Sequence, residues 1–308
     1  MKIQKNIDIS KLTTFKIGPV AREYAEVNSE DELKELINYA NLSNIPFLIL
    51  GGGSNVLFKN KIFEGLVIKN NIKGIRIVNE SYVLVKSAER LVDLIDFLAR
   101  NNLSGMEEMY GIPGTLGGAV RGNAGAFGVE IKDILKSVRA INTNTLKEFV
   151  FSNKECSFGF RESFFKFHPE WIVLEAEIIL KSGIGKDIKS KCNKILSERN
   201  KRHLQDVMAA GSFFKNPVAT KEVIEIFEKE KNTTSRGGRV PAGWIIEKVG
   251  LKNASVGGAQ ISPQHANYLI NKDGSATADD ILALKNMIQK RVFVEFGIDM
   301  ETEVHIIE

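Results

Sequence analysis

Apolar positions in the first hundred residues fall into two periods. Leu33, Leu36, Ile37 and Ala40 recur at three- and four-residue spacing behind Ser29-Glu30-Asp31-Glu32. That is the pattern of an amphipathic helix opened by a capping box, with carboxylates in the first turn where the helix dipole favours them. Phe47-Leu48-Ile49-Leu50 is apolar without alternation, which predicts a strand buried on both faces. Together they predict a β-α-β unit ending at Gly51. Gly65–Ile68 and Tyr82–Val85 predict further strands, Ile72, Ile75 and Ile77 a half-exposed one, and Leu91, Leu94, Ile95 and Leu98 a helix that stops at Asn101–Gly105.

Strands resume at Ser137–Ile141 and Trp171–Leu180, and Ile188, Cys192, Ile195 and Leu196 mark a helix over Lys186–Arg202 that bridges to a second domain. There Gly211-Ser212-Phe213-Phe214-Lys215-Asn216-Pro217 reads as a strand-like run ended by its proline. Helices follow at Lys221–Lys231 and at Pro241–Val249, the latter closed by Gly250. Thr277-Ala278-Asp279-Asp280 opens a last helix whose stripe is Ile281, Leu284, Ile288 and Val292, with Gly297 at its end. Ile298, Met300, Thr302, Val304 and Ile306 then alternate with polar residues as a final strand, which puts Glu301, Glu303 and His305 on one face.

Two segments break this pattern. Gly51-Gly52-Gly53-Ser54-Asn55 leaves a buried strand with no Cβ to hold a ligand away, so its N–H groups can converge on an anion. It is not a dinucleotide fingerprint, because Val56 stands where the third glycine belongs and no helix opens behind it, and it lacks the Gly-Lys-Ser/Thr of a Walker loop. A tight turn without ligand is the plain alternative. In Gly111–Gly128, seven of eighteen residues are glycine, interspersed with Ile, Leu, Val and Phe. That composition suits a loop and helix packed against a flat or charged ligand, and Pro113 is placed for a helix N-terminus whose N–H groups could meet a pyrophosphate.

Composition narrows the choice. A chain of 308 residues with 43% hydrophobic and 26% charged residues has room for two domain cores. The net charge of +4 is small, and the basic stretch from Lys181 to Arg202 reads as a solvated helix face, so nucleic acid is not an expected partner. Cys156 and Cys192 make no disulfide framework, and the four scattered histidines predict no metal site. No apolar run is long enough to span a membrane and the N-terminus lacks a signal-peptide core, so a soluble cytoplasmic protein is expected.

Eight stretches, in order, resemble one family: Thr13–Gly18, Leu50–Leu57, Gly111–Gly128, Phe158–Ser163, Gly211–Pro217, Pro241–Leu251, Ile261–Asn271 and Glu301–Ile307. The family is UDP-N-acetylenolpyruvoylglucosamine reductase, and the chain resembles its shorter subgroup, without the inserted loop whose tyrosine covers the substrate. The resemblance implies an α+β fold: a two-lobed FAD-binding portion of the vanillyl-alcohol-oxidase type and a C-terminal α+β substrate-binding domain. The implied boundaries are 1–190 for the FAD portion, with lobes about 1–66 and 67–190, and 191–297 for the substrate domain. Residues 298–308 are expected to return to the active site near the flavin.

The same resemblance implies that FAD is held by Gly51, Gly52, Gly53, Ser54, Asn55, Pro113, Gly114, Thr115, Gly117, Gly118, Asn123 and Ala124. It further implies that NADPH gives a hydride to FAD, whose N5 passes it to C3 of the enolpyruvyl group of UDP-N-acetylglucosamine enolpyruvate. Ser212 is the implied proton donor to C2, with Arg161 and Glu303 stabilising the enolate. Asn216, Arg202, Gln264 and His265 are the implied substrate ligands, and a monomer is expected. Three departures stand out: Pro19 where a second glycine is common, Phe160 where tyrosine is common, and His203-Leu204 in place of Gln-Pro beside Arg202. Two other readings are open, a flavin oxidase or dehydrogenase of the same fold and a non-catalytic nucleotide-sugar-binding protein.

Overall fold

The computed structural model describes residues 2–202 and 207–308, so His203 and Leu204 lie outside the described residues, as does the side chain of Arg202. The chain forms two compact units, one of residues 1–7, 20–52 and 62–201 and the other of residues 8–19, 53–61 and 202–308.

The first unit has two sheets. Four strands lie in the order Gln4–Asp8, Val20–Val27, Ile62–Asn70, Phe47–Leu50, with Ile62–Asn70 parallel to both of its neighbours. Phe47–Leu50 was expected to be buried on both faces, but it is the edge strand and only Leu50 is fully buried. The centre belongs to Ile62–Asn70, where Leu66, Val67 and Ile68 lose all contact with water. The unbroken apolar run fixed neither full burial nor place in the strand order, because the strand Ile62–Asn70 inserts between the two halves of the β-α-β unit.

Helix Glu30–Leu42 covers this sheet with Leu33, Leu36, Ile37 and Ala40. Its cap departs from the expected box: Ser29 accepts from the Glu32 N–H, but the Glu32 carboxylate reaches past it to the N–H of Asn28 at 2.7 Å. The second sheet is antiparallel, in the order Glu148–Ser152, Leu135–Asn142, Trp171–Ile179, Tyr82–Lys86, Ile75–Ile77. Ile141 and Leu174 of this sheet join the core under helix Glu30–Leu42, so the two lobes share buried surface. Helices Leu91–Arg100 and Gly185–Arg202 complete a second core through Leu94, Ile95, Leu98, Ile188 and Cys192.

The second unit is built mainly from helices Lys221–Lys231, Ala242–Lys248 and Ala278–Phe296. They pack with a small antiparallel sheet, Ser255–Val256, Ala259–Ile261, Leu269–Asn271. Thr277 and Asp280 form a complete capping box on the last helix, and Gly297 ends it at φ +64°. Two expected strands are absent or shortened. Gly211–Pro217 is irregular chain that carries a single bridge, from Phe214 to Thr302, with Phe213 and Phe214 both buried. The final strand is only His305–Ile307, parallel to Val56–Phe58. Upstream, the N–H groups of Glu303 and Val304 both point at the Phe213 carbonyl, which breaks the alternation on which a shared face for Glu301, Glu303 and His305 depended.

Candidate functional site

In the first unit the two glycine segments meet. A Cβ on Gly51 would stand 2.8 Å from Thr115 Oγ1, and one on Gly52 would stand 2.9 Å from Gly114 Cα. Side chains at these positions would push the segments apart, so glycine is required by close backbone approach. The half-buried Lys69 ammonium donates to the Gly51 carbonyl, and its partial burial lowers its pKa. Thr115 is the N-cap of helix Leu116–Arg121, so Pro113 lies two residues ahead of the cap and not in the first turn as expected. The N–H groups of Leu116 and Gly117 are taken by the carbonyls of Glu89 and Ser87. Those of Gly52, Thr115 and Gly118 donate to no acceptor among the described residues. Gly118 also presents an open face, where a Cβ would meet only Thr115 Oγ1 at 3.7 Å.

Further along this segment Asn123 is fully buried at φ +41°. Its side-chain amide donates to the Gly159 carbonyl at 2.8 Å and to Glu130 at 3.1 Å, and its side-chain oxygen accepts from the Lys132 N–H at 3.1 Å. Ala124 is anchored through its backbone, donating to Ala119 and accepting from Ile131. The Asn123 and Gly125 carbonyls in turn receive the Arg161 guanidinium at 3.3 and 2.8 Å, with Glu130 at 3.4 Å. Arg161 has φ +60°, a left-handed conformation that costs a non-glycine residue energy and is retained where surroundings over-determine it.

In the second unit Gly53 continues the first loop at φ +63°, and a Cβ there would lie 2.0 Å from the Leu12 carbonyl oxygen. Its own carbonyl accepts from the Thr14 N–H, tying the Thr13–Gly18 stretch to the loop. Ser54 lies in the same turn, and the Asn55 side-chain amide donates to the backbone carbonyl of Glu303 at 3.2 Å.

Ser212, Asn216, Gln264 and His265 line one cleft of about 330 Å³ with Trp244 and Glu247. Ser212 follows Gly211, whose φ of +75° turns the chain out of the core. Asn267 holds the next two residues: its carbonyl accepts from Phe213 N–H, and its side chain makes paired bonds of 3.0 and 2.9 Å with the Phe214 backbone. Glu303 N–H donates to the Phe213 carbonyl at 2.8 Å, so Ser212 and Glu303 sit on adjoining backbone.

The Ser262 hydroxyl accepts from the N–H groups of Gln264 and His265, fixing the turn that carries both into the cleft. His265 Nδ1 accepts from Asn267 N–H, which leaves its proton on Nε2, and burial lowers its pKa and favours this neutral form. The Asn216 side-chain oxygen accepts from the Ala242 N–H at the start of helix Ala242–Lys248. Lys215 points elsewhere and pairs with Glu301 at 2.9 Å. Arg202 ends helix Gly185–Arg202, and its side chain lies outside the described residues.

Two family models match the chain: an FAD binding domain over residues 21–145, and the C-terminal domain of UDP-N-acetylenolpyruvoylglucosamine reductase over residues 202–307. The reductase named so from Caldanaerobacter subterraneus is 36% identical over 306 residues, covering 99% of this chain and 94% of its own. That from Solibacter usitatus is 33% identical, covering 100% and 97%. The chain belongs to the UDP-N-acetylenolpyruvoylglucosamine reductase family. The crystal structure of the Thermus caldophilus reductase superposes with a TM-score of 0.78 at 28% identity over the whole of both chains.

The reductase is therefore an FAD-dependent oxidoreductase, with the fold the resemblance implied: an FAD-binding portion and a C-terminal α+β domain. The glycine segments fit that cofactor, since they combine close backbone packing with unclaimed N–H donors, the chemistry a diphosphate needs. Ser212 and Glu303 come together in the second unit, and Arg161 belongs to the first. Reading the sequence missed Trp244 and Glu247 as cleft residues. Their i, i+3 spacing on the helix after Pro241 was the available signal, because it puts both on one face.

Proposed function

We propose the following division of labour for the reduction of UDP-N-acetylglucosamine enolpyruvate to UDP-N-acetylmuramate. Gly51, Gly52, Gly53, Ser54, Asn55, Pro113, Gly114, Thr115, Gly117 and Gly118 hold FAD, with Asn123 and Ala124 shaping the floor. When bound there, FAD would supply the two-electron chemistry that couples oxidation of NADPH to reduction of the enolpyruvyl group at C3. Ser212 gives its hydroxyl proton to C2, completing the addition of a hydride and a proton across the double bond. A hydroxyl is a weak acid, but the carbanion beside a carboxylate is a strong enough base to take its proton.

Arg161, as a guanidinium, and Glu303, as a protonated acid, stabilise the charge that builds at C2 and on the substrate carboxylate as the enolate forms. Arg161 suits that role because its guanidinium is already held by carbonyl oxygens, so little reorganisation is needed when charge appears. Asn216, Gln264, His265 and Arg202 bind the UDP-sugar, the first three from one cleft. The observation that carries this reading is the convergence of Ser212 with Asn216, Gln264 and His265 on that cleft, and of Glu303 with the residue after Ser212. We further assign NADPH as the donor, a monomeric state and a cytoplasmic location, where two buried unpaired thiols stay reduced.

The purified protein is expected to be yellow, to bleach with NADPH in the absence of oxygen, and to regain colour when UDP-N-acetylglucosamine enolpyruvate is added. Colour that survives anaerobic NADPH, or that returns only with oxygen, would overturn the assignment.

A further inference from the structure

Two half-buried arginines of the first unit have their charge answered by protein. Arg139 meets Glu30 and Glu148, and Arg161 meets two carbonyls and Glu130. Arg121 differs. It is half-buried at the end of helix Leu116–Arg121, and its guanidinium makes no hydrogen bond or ion pair with the described residues. Its backbone, by contrast, is fixed: the Ser163 hydroxyl donates to its carbonyl at 2.7 Å. Withdrawal from water lowers its pKa, with no carboxylate nearby to offset it. A guanidinium presents five donors and stays charged in proteins, so leaving it desolvated and unanswered is costly unless a ligand supplies the counter-charge.

Its place in the chain indicates which ligand. Arg121 is one helical turn beyond Gly118, on the segment whose Thr115 and Gly118 N–H groups are unclaimed and whose Gly118 face is open. A turn of helix rises about 5 Å, within the reach of an arginine side chain. We propose that Arg121 is an anion-binding residue that takes a phosphate of a nucleotide bound on the glycine segment, the FAD diphosphate being the nearest source. The proposal rests on the FAD reading of that segment and adds to it a side-chain cation where the sequence pattern suggested backbone donors alone.

The test compares wild type, Arg121→Gln and Arg121→Lys, each stripped of flavin and titrated by fluorescence quenching with FAD and with riboflavin, which carries no phosphate. Loss of a charge-assisted contact predicts that Arg121→Gln weakens FAD binding on the order of tenfold to a hundredfold, leaves riboflavin binding unchanged, and is partly rescued by lysine. Unchanged FAD affinity with a raised KM for NADPH or for the UDP-sugar, at constant kcat, would support the phosphate contact and put it on that nucleotide. Unchanged FAD affinity and unchanged KM values in a folded Arg121→Gln protein would overturn the proposal, as would equal losses for FAD and riboflavin. If the wild-type protein takes up no FAD, the reading of the segment fails instead, which the same titration distinguishes.

Discussion

Arg161 in the first unit and Ser212 in the second are held in opposite ways. Arg161 sits at a left-handed φ of +60° with its guanidinium on two carbonyl oxygens and beside Glu130. Ser212 has its backbone set by Gly211 before it and by Asn267 on the two residues after it, while its hydroxyl makes no hydrogen bond with the described residues. The contrast matches the role proposed above for each residue. A charge that must be in place when an enolate forms gains from rigid, prepaid orientation. A hydroxyl that gives up a proton gains from having no competing acceptor.

The largest effect that sharpens this contrast belongs to Ser212→Ala. Reduction by NADPH should run at nearly the wild-type rate, while reoxidation by UDP-N-acetylglucosamine enolpyruvate slows about a hundredfold to ten-thousandfold, the usual worth of a positioned proton donor. Stopped-flow absorbance separates the two half-reactions. Equal slowing of both would mean that Ser212 organises the cleft and does not move the proton.

Asn123→Ala probes the rigid side. It leaves the Gly159 carbonyl and the Lys132 N–H without their partner and removes a residue that tolerates φ +41°. A loss of about 2–4 kcal/mol in unfolding free energy is expected, from more than one buried polar group losing its partner. Because the Asn123 carbonyl also receives Arg161, the reoxidation rate should fall along with stability. Denaturant unfolding together with the same stopped-flow assay checks both. A destabilised protein with an untouched reoxidation rate would show that Arg161 does not depend on this anchor.

How much of this was legible beforehand also divides between the units. Helix Glu30–Leu42 follows from local periodicity, since it covers a core with one face, and Leu135–Asn142 follows from an apolar run whose residues are shared between two cores. The edge position of Phe47–Leu50 was not legible, because strand order is fixed by the later arrival of Ile62–Asn70. In the second unit, Gly211–Pro217 and residues 298–304 look like strands, yet the structure makes them single-bridge contacts anchored by Asn267 and Phe213. Their partners are some 50 to 90 residues away along the chain, beyond any local pattern. The candidate site was legible through motif order. What motif order could not supply was how residues are held: the Ser262 turn under His265, the Asn216 bond to Ala242 and the Glu247–Trp244 face.

A smaller effect tests whether rigidity in the first unit is electrostatic as well as packed. Glu30, the first residue of its helix, accepts from Arg139 at 2.9 and 2.6 Å and from Lys86 at 2.7 Å, joining that helix to two strands of the antiparallel sheet. The Arg139 hydrogen bonds, opposed by burial and supported by Lys86, hold its pKa down from an ordinary 4.5 to about 2. A carboxylate with a depressed folded-state pKa stabilises the fold fully above its unfolded value and loses that contribution as pH falls through the folded value. With the carboxylate about a fifth exposed, solvent screening trims the gain, and Glu30→Gln should cost about 1–3 kcal/mol at neutral pH. The gap between wild type and variant should stay constant above pH 4.5 and narrow between there and about 2. Denaturant midpoints across that range read it directly. A gap that persists unchanged at low pH would mean that the amide fails through shape or hydrogen bonding, and that charge plays no part in joining the two lobes.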